Sequence, residues 1–171
     1  MPGTLPFQRR PPSPSEHVLE LFRAHGPSLV RFCGSLTASP SDAEDVVQDT
    51  FIKLMVHLEA RGDASNLRAW LFQVAANGCR DRMRRRLRWI PWRAELDTRV
   101  VEPDDAPGGA DRQRARAALR ALPPRDRLLL SMRAEGLSYR EIAAGAGIAE
   151  ASVGRLLARA VDRWKRGSED L

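Results

Sequence analysis

The segment from Leu137 to Arg159 constrains this chain more than any other. Ser138 stands three residues ahead of Glu141, the spacing of a capping box at a helix start. Tyr139, Ile142 and Ala143 follow as an inward face, and Ala144 is small where helices cross closely. Gly145 and Gly147 supply a turn. From Glu150 a second helix carries Val153, Leu156, Leu157, Ala160 and Trp164 on one face, with Arg155, Arg159 and Arg163 opposite. Two short helices about a glycine turn, the second with arginines outward, make a helix-turn-helix. That motif lays its second helix in the DNA major groove. Glu150, Ala151 and Ser152 then occupy the end of that helix which reaches base edges.

The rest of the chain is helical by the same criterion, apolar residues three and four apart, and no strand alternation is visible. Ser15 caps a helix to about His25, carrying Val18, Leu19, Leu21 and Phe22. Gly26-Pro27 breaks it and opens the next, with Leu29, Val30, Phe32, Cys33 and Leu36. Ser41 and Glu44 form a capping box for a third helix with Ala43, Val46, Val47, Phe51, Leu54, Met55 and Leu58 apolar. Ser65 or Asn66 caps a long helix to about Leu87, bearing Leu67, Trp70, Leu71, Val74, Ala75 and Gly78. Ala115, Ala118, Leu119 and Leu122 start a second unit. Pro123-Pro124 restarts the chain into Leu128, Leu129, Leu130 and Met132, and Gly136 closes that helix. The expected fold class is all-α: two small helical domains joined by an acidic flexible linker, the C-terminal one containing the helix-turn-helix. The expected boundaries are a disordered tail at 1–15, a first unit at 16–90, a linker at 91–110 and a second unit at 111–171.

Charge sharpens this division. The 171 residues carry a net charge of +6, which suits a polyanionic partner. Seven arginines lie between Arg80 and Arg93 against the single acid Asp81, whereas six acids lie between Glu95 and Asp111 against the single base Arg99. A basic block is followed by an acidic tether. The two cysteines, Cys33 and Cys79, lack metal-ligand spacing and read as small buried thiols in a reducing compartment. No apolar run reaches the roughly 18 residues of a membrane span, and the Pro- and Arg-rich start has no signal-peptide core.

Asp42, Asp45 and Asp49 share one flank of the third helix. Carboxylates so placed could ligate a metal, as in a nuclease, but without a nearby His or glycine-rich loop they read as a solvated or docking face. No catalytic residue, metal or cofactor is therefore expected. Trp70 lies on the apolar stripe and reads as core rather than as a base wedge.

Here the chain resembles a known family. The block from Asp42 to Phe51 resembles the polymerase-binding signature of bacterial sigma factors of the extracytoplasmic-function (ECF) group. The helix from Asn66 through Asn77 to the arginine run resembles their minus-ten promoter segment. The C-terminal helix-turn-helix resembles their minus-thirty-five segment. The resemblance implies a transcription initiation subunit without catalysis of its own, which binds core RNA polymerase and promoter DNA, takes no small-molecule substrate and works in the cytoplasm in a stress or envelope response. It implies polymerase contacts from Asp42, Glu44, Asp45, Gln48, Asp49 and Phe51. It implies minus-ten contacts from Arg61, Asn66, Arg68, Gln73, Asn77, Arg80, Arg84 and Arg85, and minus-thirty-five contacts from Arg140, Glu150, Ala151, Ser152, Arg155 and Arg159. Melting needs a pocket for an unstacked base and cations for the freed backbone; the loop from Arg61 to Asn66 would hold that base. It also implies an anti-sigma partner, often membrane-anchored, that can hold the chain at the inner membrane face. Gly154 departs from a common lysine and Leu156 from a common arginine. The alternative reading of the same residues is a stand-alone helix-turn-helix regulator with a sensing or dimerising N-terminal half.

Overall fold

The structure, a computed structural model, describes residues 13–37, 39–60, 62, 65–89 and 109–169. The expected tail up to residue 12, Arg61 and the linker core lie outside these. Seven helices occur among the described residues: α1 Pro14–Leu36, α2 Pro40–Glu59, α3 Leu67–Trp89, α4 Gly109–Ala121, α5 Pro124–Ala134, α6 Tyr139–Ala146 and α7 Glu150–Glu169. No strand occurs among them.

The break expected at Gly26-Pro27 is absent. α1 is one helix of 23 residues with Pro27 inside it. Proline removes a backbone donor and normally clashes with the preceding turn. Gly26 eases a further clash, between the proline ring and the Cβ of the residue before it, because it has none. It is buried, with the Phe22 ring beside it: a Cβ there would lie 3.5 Å from Phe22 Cε2. Leu29, Phe32, Cys33 and Leu36 are buried along the same helix, and that tertiary contact outweighs the local defect.

Two helix starts also move. α1 is capped by Ser13, not Ser15: the Glu16 amide donates to Ser13 Oγ (3.3 Å) and the Ser13 amide to Glu16 Oε2 (2.7 Å). α2 is capped by Ser39, not Ser41, whose hydroxyl accepts from the Asp42 amide at 3.1 Å. In both cases proline occupies the first turn. There its missing N–H costs nothing and its fixed φ starts the helix, so the serine before the proline caps.

The first three helices enclose one core. Phe32 of α1 meets Phe72 of α3 edge to face, with centroids 5.2 Å apart. Val46 and Leu54 of α2 fill the remaining side and are almost fully buried. Gly78 lets α3 approach α2, since a Cβ there would stand 3.0 Å from Val46 Cγ1. Buried Thr50 satisfies its hydroxyl on the Val46 carbonyl at 2.7 Å. Cys33 and Cys79 are both buried. Their mutual hydrogen bond, then burial, push the Cys33 thiol far above its usual range, so it stays protonated.

The last four helices pack around Leu129, Met132, Leu137, Ile142 and Val153, none of which is exposed. α4 lies on α7, where Trp164 Nε1 donates to the Ala115 carbonyl at 3.0 Å. The two units also touch. α1 meets α5 and α3 meets α6, with Ser35 Oγ 2.7 Å from Ser131 Oγ and one apolar cluster running through both.

Candidate nucleic-acid interface

α6 and α7 form the helix-turn-helix. Ser138 caps α6: its Oγ accepts from the Glu141 amide at 3.3 Å, and Glu141 Oε2 accepts from the Ser138 amide at 2.7 Å. That amide, opposed by burial and reinforced by the Ser138 hydroxyl, Asn66 and Arg68, holds the Glu141 carboxyl below its usual range. α6 ends at Gly147, whose φ of 67° is left-handed, the conformation that glycine adopts without a Cβ penalty. No side chain caps α7; the Ser152 amide donates to the Ala149 carbonyl at 2.9 Å.

α7 divides as its periodicity requires. Val153, Leu157 and Ala160 are buried, while Glu150, Ala151, Arg155 and Arg159 are exposed and Ser152 is half-buried. Arg140 is exposed on α6. Arg163 is exposed on the outer face with Arg155 and Arg159, and its guanidinium is tied to Asp126, a buried carboxylate in the first turn of α5. One expectation fails. Tyr139 does not face inward: it is 45% exposed, with the Arg133 guanidinium 5.8 Å from its ring centroid. A Cβ on Gly154 would sit 3.4 Å from Tyr139 Cε2. A side chain at that position would therefore meet the ring in ordinary van der Waals contact.

α3 carries the second basic face. Asn66 supplies its cap, accepting from the Ala69 amide at 3.1 Å. Gln73, Asn77, Arg84 and Arg85 are exposed. Arg68 and Arg80 are half-buried and engaged. Arg68 Nη2 donates to the Glu135 carbonyl, and Arg80 Nη2 donates to the Gly145 carbonyl at 2.6 Å. Burial, and then the Arg68 charge, push His25 below its usual value. Trp70 is half-buried against the core and stacked on His57 with centroids 4.8 Å apart. Nothing is described for the Trp89 side chain or for Trp92.

α2 presents its acids as the spacing predicts. Arg82 of α3 forks between Asp42 Oδ1 (2.9 Å) and Asp45 Oδ2 (3.0 Å). Burial works against the charge on Arg82, but the two carboxylates prevail and raise its pKa. Glu44, Gln48 and Asp49 are exposed. Phe51 is not an exposed contact: it is 7% exposed and packs edge-on against Phe22 at 5.0 Å. Instead it floors an open apolar groove of about 650 Å³ between α1 and α2, lined also by Val18, Val30, Val47 and Met55. Ile52 and Val56 stand beside it, more than half exposed. Sequence reading missed this groove. Its signal is the excess of apolar residues, Leu19, Phe22, Val30, Ile52 and Val56, beyond one buried stripe. Among the described residues no cluster of His, Cys, Asp or Glu could hold a metal ion, and no helix is long and apolar enough to cross a membrane.

A trihelical unit with an acid-flanked helix and a basic helix, coupled to a helix-turn-helix, defines a class of transcription protein. Sigma-70 region 2 matches residues 21–89 and Sigma-70, region 4 matches residues 112–163. The chain is 34% identical over 138 residues to the ECF RNA polymerase sigma factor SigL of Mycobacterium tuberculosis, covering 78% of each. It is 32% identical over 133 residues to the ECF RNA polymerase sigma factor SigF of Caulobacter vibrioides, covering 76% of this chain and 73% of that relative. The fold superimposes on the sigma factor RpoE from Bartonella quintana, solved in complex with the anti-sigma factor NepR. The TM-score is 0.72 at 28% identity, over 90% of this chain and 97% of the other. The chain therefore belongs to the ECF RNA polymerase sigma factors, promoter-recognition subunits of the sigma-70 family. That membership displaces the stand-alone regulator.

Proposed function

We propose that this sigma factor divides its work among three helices. α2 docks on core RNA polymerase through Asp42, Glu44, Asp45, Gln48 and Asp49, with the groove floored by Phe51 beside them. α3 holds the minus-ten strand through Asn66, Arg68, Gln73, Asn77, Arg80, Arg84 and Arg85, with Arg61 ahead of it. α7 reads the minus-thirty-five element through Glu150, Ala151, Ser152, Arg155 and Arg159, with Arg140 of α6 beside it. The domain assignment is 16–90 for polymerase and minus-ten binding and 111–171 for minus-thirty-five binding, with the acidic 91–110 between. The work is positional and electrostatic, with no catalytic step, and is carried out in the cytoplasm. The carrying observation is the placement of two separate basic helical faces and one acid-flanked apolar groove on a single chain. An anti-sigma partner, as in the relative solved with NepR, docks on the apolar groove between α1 and α2.

The test is co-elution with purified core polymerase and run-off transcription from genomic promoter fragments. Replacing Asp45 and Asp49 with Lys abolishes co-elution and transcript while leaving the helical circular dichroism intact. A double variant that still co-elutes refutes the α2 assignment.

A further inference from the structure

One side chain governs how the chain leaves α2 on its way to α3. His57 stands in the last turn of α2. Its carbonyl accepts from the Gly62 amide at 2.8 Å, which turns the chain back onto the helix end. Its imidazole stacks on Trp70, with centroids 4.8 Å apart and planes 27° from parallel. Trp70 lies in the first turn of α3, where its amide donates to the Asn66 carbonyl at 3.1 Å. The stack therefore ties the end of α2 to the start of α3, one turn past Asn66.

Gly62 lies over the same ring. A Cβ there would stand 2.2 Å from Cε1 and 2.4 Å from both Nδ1 and Nε2 of His57. Approach in the ring plane would leave the nitrogens well behind Cε1, so these near-equal distances put the backbone over the ring face. No Cβ fits at such a separation. Gly62 is not among the glycines of positive φ, so the ring, and not the backbone conformation, is what demands glycine here. A long flexible side chain would swing away at little cost. Histidine is short and stiff, and leaving would break the stack on Trp70. The imidazole thus acts as a spacer that sets where the Gly62 backbone can run.

We infer that His57 and Trp70 are positioning residues for the minus-ten step: their stack seats the loop at Gly62 and so fixes the approach of the unstacked base to Asn66 and the α3 face. They act through the loop backbone. Sites of this kind tolerate displacement of only about 0.5 Å in the residues that support them. The inference rests on the minus-ten assignment made above.

The experiment uses the full chain as holoenzyme with core polymerase, on a genomic fragment that the wild-type chain transcribes. Permanganate reads unpaired thymines, and co-elution reads polymerase binding. His57→Ala and Gly62→Ala should each cut the melted fraction about fivefold, the scale of one aromatic contact, with co-elution and helical circular dichroism unchanged. His57→Phe, which keeps a planar ring on Trp70, should restore most of the signal. The decisive result is the double variant. With the ring gone its clash with a Cβ at residue 62 is gone, so Gly62→Ala with His57→Ala should melt the promoter no worse than His57→Ala alone. Multiplied losses in the double variant, normal melting by either single variant, or a loss that His57→Phe leaves unrestored overturns the inference. In that event Asn77→Ala and the Arg84→Ala, Arg85→Ala pair still lose melting. If the minus-ten assignment itself is at fault, those variants melt the promoter like wild type, and the inference falls with it.

Discussion

Ser138→Ala tests whether the helix-turn-helix is held at its first residue. The substitution removes the Oγ that accepts from the Glu141 amide at 3.3 Å and that donates to Glu141 Oε2 at 2.8 Å. It leaves the 2.7 Å bond from the Ser138 amide to Glu141 Oε2. One long and one short bond are lost at an exposed hydroxyl while the short amide bond survives, so the cost should be about 1 kcal/mol, the middle of the range for capping residues. Glu141→Ala removes the surviving bond as well. The two substitutions act on shared bonds, so the double variant should cost less than the sum of the singles. pH adds a second axis. The Glu141 carboxyl is held below its usual 4.5, first by the Ser138 amide. The unfolded chain therefore takes up the proton first, and stability falls with falling pH. The contribution is fully present above the unfolded value of 4.5 and fades as pH drops through the lower folded value. Urea unfolding followed by circular dichroism, repeated from neutral pH to below 4.5, measures all of this. An additive cycle refutes the reasoning, as does a Glu141→Ala deficit that grows on acidification.

Arg163→Ala should leave buried Asp126 without its cation. Because Arg163 is itself 48% exposed, the loss belongs near the lower end of the roughly 1–3 kcal/mol for an unsatisfied buried group. Adding Asp126→Asn should recover part of it in denaturant melts, and no recovery would count against the pair. Gly147→Ala should cost about 1 kcal/mol, since a Cβ is disfavoured at a φ of 67°; the same melts check it, and a gain in stability would contradict the left-handed cap.

The sequence reading held where signals were local and repeated. The capped start of α6, the stripe of α7 and the proline entry to α5 are each set by residues within a few positions of one another, and all three form as the spacing predicts. It failed where a distant contact outvoted a local rule. Gly26-Pro27 reads as a break, yet packing of Phe22, Leu29 and Phe32 carries the helix through it. Tyr139 reads as inward, yet the ring lies on the surface with the Arg133 guanidinium, six residues earlier on α5, 5.8 Å from its centroid. Arg163 is the third outer arginine that the spacing gives, but its tie to Asp126, thirty-seven residues away, lay beyond any local rule. Phe51 reads as a docking contact, yet it is buried edge-on against Phe22 and reaches the surface only as the floor of a groove that no spacing along one helix shows.

By itself, then, the order of apolar, acidic and basic residues determined an all-helical chain with an acid-flanked helix, a basic helix and a helix-turn-helix, because helical periodicity and capping are short-range properties. Only the tertiary structure decided which charges stay free. Arg82 is bound to Asp42 and Asp45, Arg80 to Gly145 and Arg68 to Glu135. Partners so far apart in sequence meet only when the helices pack, and no spacing rule along one helix can name them.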